Sequence, residues 1–305
     1  MKRWAIPAIT ALVAAICAVP ALGQDVWVGG NLQLQYWVPS EGAADFGWGP
    51  EANVNLTAEI EPTLTLYWAH SPYFGGVSEF WAKLETEQGL VFKAGRMFAP
   101  FGPNFLRAVD RTVAGTDVFQ YTFGEGVGVE AERRGLKLSG SVLGGAPGVW
   151  TEWPRWAGPP DRKKRLFVRA EREAGPLKVG LNGFASRLFS AGSWHYYGGV
   201  AVDAEWPLSE RTKVGGLLVA GRLGGESANA VYLCASQELA RGTTLLASYA
   251  RFSTDLTGAQ EGEFLKIGLR RNVSENATFE VRYENHDTEP VDYPARWVAE
   301  VEVKF

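Results

Sequence analysis

The sequence predicts an all-β chain closed into a transmembrane, antiparallel, up-and-down barrel. Three observations predict it. Apolar and polar residues alternate with a period of two along many short stretches. Short connections alternate with longer ones, as they do when a sheet has two unlike rims. An export signal is followed by no apolar run long enough for a membrane helix.

Alternation is clearest in Pro294 to Phe305, which reads PARWVAEVEVKF. Trp297, Ala299, Val301, Val303 and Phe305 share one side of an extended chain. Arg296, Glu300, Glu302 and Lys304 share the other, with Val298 alone out of place. A strand that closes a barrel in lipid needs this form, because it must pair with the first strand and leave no edge. Ala52 to Glu61 sets Ala52, Val54, Leu56, Ala58 and Ile60 against Asn53, Asn55, Thr57, Glu59 and Glu61. The second half of Asp25 to Val38 sets Leu32, Leu34, Tyr36 and Val38 against Asn31, Gln33, Gln35 and Trp37. One face of such strands meets an apolar medium and the other meets water.

The polar faces carry rows of charge: Glu79, Lys83 and Glu85 with Trp81; Arg165, Arg169 and Glu171 with Phe167; Lys266 and Arg270; Glu280 and Arg282; Glu300 and Glu302. These are the residues expected to line a lumen. A single row reads equally as a solvated sheet face, and a soluble sandwich would alternate in the same way strand by strand. The export signal, the terminal aromatic and the unlike rims favour the barrel.

The signal comprises residues 1–23: Lys2 and Arg3, an apolar run from Ala5 to Leu22, and cleavage after Gly23. Its removal takes Cys17 and two cations, so one cysteine, Cys234, is left and the net charge falls from −4 to −6. No internal disulfide can form, and the acidic balance argues against a nucleic-acid partner. Residues 24–305 are expected to form one domain. The whole chain's Trp 12, Tyr 10, Phe 16 and Gly 36 suit strands, tight turns and interfacial belts, with Trp27, Trp68, Trp194, Trp206 and Trp297 near strand ends.

Short turns are expected at Glu61–Thr63, Glu87–Gly89, Arg133–Gly135, Ala174–Pro176, Pro207–Glu210, Leu239–Gly242 and Asn272–Glu275. Longer connections fall between them: Pro39–Gly49, Ser71–Gly76, Arg96–Glu125, Gly145–Lys164, Ser190–Ser193, Gly224–Ser227, Thr254–Gly262 and Asp287–Tyr293. The count is about sixteen strands, with both termini on the short-turn rim. Thr212 to Leu223 and Thr243 to Phe252 alternate poorly, so splitting or merging them gives about fourteen or eighteen.

With its alternating last strand ending on Phe305, the chain resembles the bacterial outer-membrane porin superfamily, the general porins in particular. The resemblance implies a homotrimer in the outer membrane, in contact with membrane lipid and lipopolysaccharide. It also implies passive diffusion of small hydrophilic solutes and ions. The third long connection, Arg96 to Glu125, matches the position of the inward-folded loop that narrows the channel of general porins. It carries Arg96, Arg107, Asp110, Arg111, Asp117 and Glu125, which become the expected constriction residues. Lys93-Ala94-Gly95-Arg96 running into Pro100-Phe101-Gly102 is similar to a signature of the phosphate-selective porins, but three acids face three arginines in this loop. A mixed-charge eyelet with little specificity is the main expectation, and a phosphate-, anion- or carbohydrate-selective channel the alternative.

Gly145 to Lys164 holds Trp150, Trp153 and Trp156 beside the basic run Asp161 to Arg165. Indoles there could contact carbohydrate or the outer leaflet, though a self-packed external loop is the simpler reading. His70, His195 and His286 lie far apart, so no metal site or cofactor is expected. Ser193 lies close to His195 but in a short connection, and Gly124-Glu125-Gly126-Val127-Gly128 runs into strand rather than helix, so neither a hydrolase nor a nucleotide site is expected. A non-conducting barrel and a soluble exported β-sandwich are the readings of another class.

Overall fold

In the computed structural model every described element is a strand. The structure describes residues 25–40, 42–48, 53–71, 76–101, 123–144, 165–190, 193–223, 225–255, 261–289 and 293–305.

The first strands are β1 (Asp25–Pro39), β2 (Asp45–Trp48), β3 (Asn53–Glu61), β4 (Leu64–Ser71), β5 (Gly76–Glu85) and β6 (Leu90–Phe98). Next come β7 (Phe123–Arg133), β8 (Leu136–Gly144), β9 (Arg165–Ala174), β10 (Leu177–Ser190), β11 (Ser193–Pro207) and β12 (Thr212–Leu223). The last are β13 (Glu226–Ala240), β14 (Thr243–Thr254), β15 (Glu261–Asn272), β16 (Ala277–Glu289) and β17 (Tyr293–Lys304). From β3 onward each strand pairs antiparallel with the next. β2 and β3 share one place in the wall. β2 pairs the far half of β1, from Leu34↔Trp48 to Trp37↔Asp45, and β3 pairs the near half, from Asp25↔Glu59 to Asn31↔Asn53. The other edge of β1 pairs with β17 from Asn31↔Lys304 to Pro39↔Arg296. The sheet closes on itself as a barrel of sixteen staves. A single closed sheet has no second layer, which overturns the sandwich alternative.

β2 is a correction to the sequence reading, which made Pro39–Gly49 a connection. Four residues are too few for alternation to register. Gly47 is what lets them pair: a Cβ there would lie 2.8 Å from the Trp37 ring, in the strand alongside.

Asp25, Phe305 and the short turns share one rim. One of the two-residue turns joins β7 to β8 through Arg134 (φ 53°) and Gly135 (φ 73°), two left-handed residues whose twist suits such a hairpin. The opposite rim carries the connections 99–122 and 145–164, but those joining β10 to β11 and β12 to β13 are as short as the turns. Only part of that rim is long-looped.

Outside, an apolar belt runs round the wall. Leu32, Tyr36 and Val38 on β1, Val127 and Val129 on β7, Val200 and Val202 on β11, Leu265, Ile267 and Leu269 on β15, and Val301 and Val303 on β17 are all exposed. Trp27, Trp206 and Trp297, near strand ends, are about half exposed (48 %, 50 % and 56 %). A belt of this extent on a closed barrel is a surface for hydrocarbon rather than water.

The poor alternation of β12 and β14 now has a cause. Leu217, Val219, Tyr232, Leu246 and Phe252 face inward and are buried, while Leu218, Leu233 and Leu245 face outward. The wall is apolar on both sides there, so the period of two vanishes from the sequence although the strands remain.

Candidate functional site in the barrel interior

Residues from non-neighbouring strands meet only inside a barrel, and they do so here. Phe101, just past β6, is fully buried and edge-on to Phe184 of β10, 5.6 Å between ring centroids and four strands round the wall. The first residues of the 99–122 connection therefore lie within the bore, with Ala99 also buried.

One side of the interior is a charged ladder from β15 to β1. Register sets it: Arg270↔Glu280, Glu280↔Glu300, Glu300↔Gln35, and Lys266↔Glu284↔Arg296. Arg282 is the hub, its Nε donating to Glu284 Oε1 and its Nη1 to Glu300 Oε2 at 2.6 Å, with Glu280 Oε1 at 3.4 Å. Arg270 donates to Glu280 at 2.8 Å, Lys266 stands 3.5 Å from the same carboxylate, and Arg296 donates to Glu284 at 2.7 Å. Gln33 and Gln35 donate to Glu300 at 2.7 and 2.6 Å, and Asn31 to Glu302 at 2.8 Å. Glu280 and Glu300 sit directly opposite, a pairing that is repulsive by itself. Arg282 bridges the two, and Gly268 clears its stem, since a Cβ at 268 would come within 2.7 Å of Arg282 Cβ. Arg282, Glu280 and Glu284 are at most 2 % exposed. Val298, the odd residue of the last strand, is inward too, in register between Arg282 and Trp37 and fully buried.

A second buried cluster spans β9 to β11. Arg169 grips Asp203 with two bonds, through Nη1 to Oδ2 and through Nη2 to Oδ1 at 3.0 Å, and also donates to Asn182 and to Glu171, each at 2.7 Å. Asn182 donates to Asp203 at 2.6 Å, and Lys178 pairs with Glu171 at 2.9 Å. Such two-point arginine–carboxylate contacts fix geometry as well as charge. The intervening position is Gly180, where a Cβ would lie 2.5 Å from the Asp203 oxygens and 2.6 Å from Arg169 Nη2.

Between β5 and β9 the wall recedes into a chamber of about 380 Å³, lined by Glu79, Trp81, Lys93, Glu130, Lys137 and Ser141 among others. Its aromatic flank is Trp81, stacked on Tyr67 at 4.8 Å, with Lys93 Nζ 5.5 Å from the indole centroid and Trp81 Nε1 donating to Glu79 at 3.2 Å. Lys93 and Lys137 share Glu130, at 2.7 and 3.5 Å. Gly124, Gly126 and Gly128 occupy inward positions of β7, opposite the outward Val127 and Val129, and Gly128 lines the chamber.

The expected lumenal residues thus divide. Glu79, Lys83, Glu85, Arg165, Arg169, Glu171, Lys266, Arg270, Glu280, Arg282, Glu300 and Glu302 lie on the inward face, but Lys266, Glu280, Arg282, Glu300, Glu302 and Arg169 are buried rather than bathed by solvent, while Arg270 is partly exposed. Two constriction candidates are corrected. Arg96 belongs to β6 and Glu125 to β7, register partners on the outward face shared with Phe80 and Val127. The strands run further than a charge-rich stretch suggested, because Met97 and Gly124 continue the pairing. Arg107, Asp110, Arg111, Asp117, Trp150, Trp153 and Trp156 lie outside the described residues. Glu130, Lys137, Asn182 and Asp203 do not stand out in the sequence, and Lys93 does so only as the start of the Lys93–Gly102 signature. Lys93 and Glu130 share strands with glycines that obscure the row, and Asp203 stands alone between Val202 and Ala204.

No family model matches the sequence, and no curated protein matches it significantly. The fold is that of the porins. The outer membrane channel DcaP of Acinetobacter baumannii superposes with a TM-score of 0.70 at 12% identity, over 92% of this chain and 97% of that one. The trimer form of in-vitro folded OmpT, an outer membrane protein of Vibrio cholerae, gives 0.67 at 13%, over 92% and 99%. An anion-selective porin from Comamonas acidovorans gives 0.64 at 12%, over 92% and 99%.

Proposed function

We propose that the protein is an outer-membrane porin through which small hydrophilic solutes and ions diffuse passively. Residues 1–23 direct its export, residues 24–305 form the barrel, and it carries out no covalent chemistry. One observation carries this reading: a closed barrel with an apolar exterior encloses a charged chamber whose side chains are partly exposed. The connection 99–122, entering the bore at Ala99 and Phe101, sets the width of the passage, with Arg107, Asp110, Arg111 and Asp117 as its charged edge. The protein assembles as a homotrimer amid membrane lipid and lipopolysaccharide, a reading favoured by the trimer form of the Vibrio cholerae protein. Anion selectivity, the property in the name of the Comamonas acidovorans porin, is not carried over, because the mature chain is acidic and the chamber balances its charges.

Planar-bilayer recording of the purified protein tests the proposal. Stable open steps with a salt-dependent reversal potential are expected. A folded protein that never conducts would leave a barrel with an adhesive or structural role.

A further inference from the structure

We propose that the chamber between β5 and β9 is a solute subsite for a neutral, polyhydroxylated molecule of mono- or disaccharide size; this rests on the channel reading, since it places the subsite on the permeation route. The volume, about 380 Å³, falls within the range of small-molecule pockets. Three cations, Lys93, Lys137 and Arg169, face three carboxylates, Glu79, Glu130 and Glu171. Lys93 and Lys137 pair with Glu130, and Arg169 with Glu171. A free anion would gain an ammonium only by lying against a carboxylate, and a cation meets the converse. A hydroxyl group does both tasks at once, donating to the acid of a pair and accepting from its base.

An independent observation points the same way. Ser141, 5 % exposed, lines the chamber, and its Oγ has no hydrogen-bond partner among the described residues. Buried hydroxyls are normally satisfied, so this one is placed for a group that arrives from the cavity. Trp81 is held by Tyr67 from β4 and by Lys93 from β6, so the indole serves as a fixed apolar wall beside the polar pairs. Apolar wall and convergent donors and acceptors together suit the two kinds of surface on a sugar ring.

The test uses the mature protein folded in detergent, with maltose and glucose as probes and sodium phosphate as the ionic competitor. Maltose is expected to interrupt single-channel current in the millimolar range, and calorimetric titration to return the same affinity. Ser139→Phe, which fills the chamber, should weaken both by about tenfold or more, equivalent to about 1.4 kcal/mol. Ser141→Ala, which removes only the unpartnered hydroxyl, should weaken both severalfold and covers the case in which the phenylalanine variant does not fold. Conduction with neither block nor binding heat overturns the subsite, as does block by phosphate alone, or a folded Ser139→Phe protein that binds maltose as the parent does. Sugar binding without any current would instead sink the channel reading and leave the subsite standing.

Discussion

The ladder from β15 to β1 and the chamber between β5 and β9 use the same residue types on the same face of one sheet, yet they are differently built. Side chains of Arg282, Glu284 and Glu300 are 2 %, 0 % and 7 % exposed, whereas those of Lys93, Glu130 and Lys137 are 28 %, 28 % and 44 % exposed. In the ladder each carboxylate meets two or more donors, so the charges satisfy one another and staple four strands where the barrel closes. In the chamber Gly128 of β7 and Gly140 of β8 add no covering side chain, and the pairs stay partly exposed. A row of inward charges therefore has two uses, and neighbouring bulk decides which.

The largest expected effect lies in the ladder. Arg282→Met leaves Glu280, Glu284 and Glu300 without the guanidinium that bridges them, in a place water does not reach. Removing one member of a buried ion-pair network costs about 3–5 kcal/mol. The same change in the chamber, Lys93→Met, should cost about 1 kcal/mol or less because solvent screens the partner it leaves. The denaturant midpoint of the detergent-folded barrel compares them directly. Equal losses would erase the distinction between the two regions.

A second contrast sets the two faces of β12 against each other. Leu217 is 1 % exposed and faces inward, whereas Leu218 is 56 % exposed on the belt. Leu217→Ala should cost about 2–5 kcal/mol, the range for a buried leucine that leaves a cavity. Leu218→Ala should cost clearly less, because lipid chains refill the space. Equal costs would mean that the interior at this wall collapses as readily as lipid does.

Smaller again is Gly180→Ala. Its new methyl group would press on both Asp203 oxygens and on Arg169 Nη2, forcing the two-point contact to open. Overpacking of this kind costs about 1–3 kcal/mol. Asp203→Asn in the same background tests the cause: once the contact is already weakened, the alanine should cost little more.

The fold was legible because hydrocarbon and water impose a period of two. That period located most strands and the closing role of β17. It failed where one medium lay on both sides: Leu217 and Val219 are as apolar as Leu218, so β12 gave no alternation. It failed also at β2, whose four residues are held by the register with β1 rather than by pattern. The inward charges could be read as rows, but not as buried or wet. Arg282 and Lys93 look alike in sequence, and their fates depend on Gly268, Gly128 and the neighbours those glycines admit. Arg96 and Glu125 misled for a related reason, since charge suggested loop where cross-strand pairing continues.

The smallest expected change in stability tests the chamber's place on the ion path. Glu130 has two cationic neighbours, and its side chain is 28 % exposed. Glu130→Gln keeps the shape and gives the chamber one net positive charge. Stability should change by about 1 kcal/mol or less, as for other exposed pairs. Ion preference should nonetheless move toward anions, read as a shift in reversal potential across a salt gradient. The screening length is about 10 Å at 0.1 M salt and about 3 Å at 1 M, so the shift should be plain in dilute salt and fade in concentrated salt. An ion passing within that distance must feel the missing carboxylate. A reversal potential unmoved in dilute salt would place the ion path elsewhere in the bore, and would make Glu130 a partner of Lys93 and Lys137 alone.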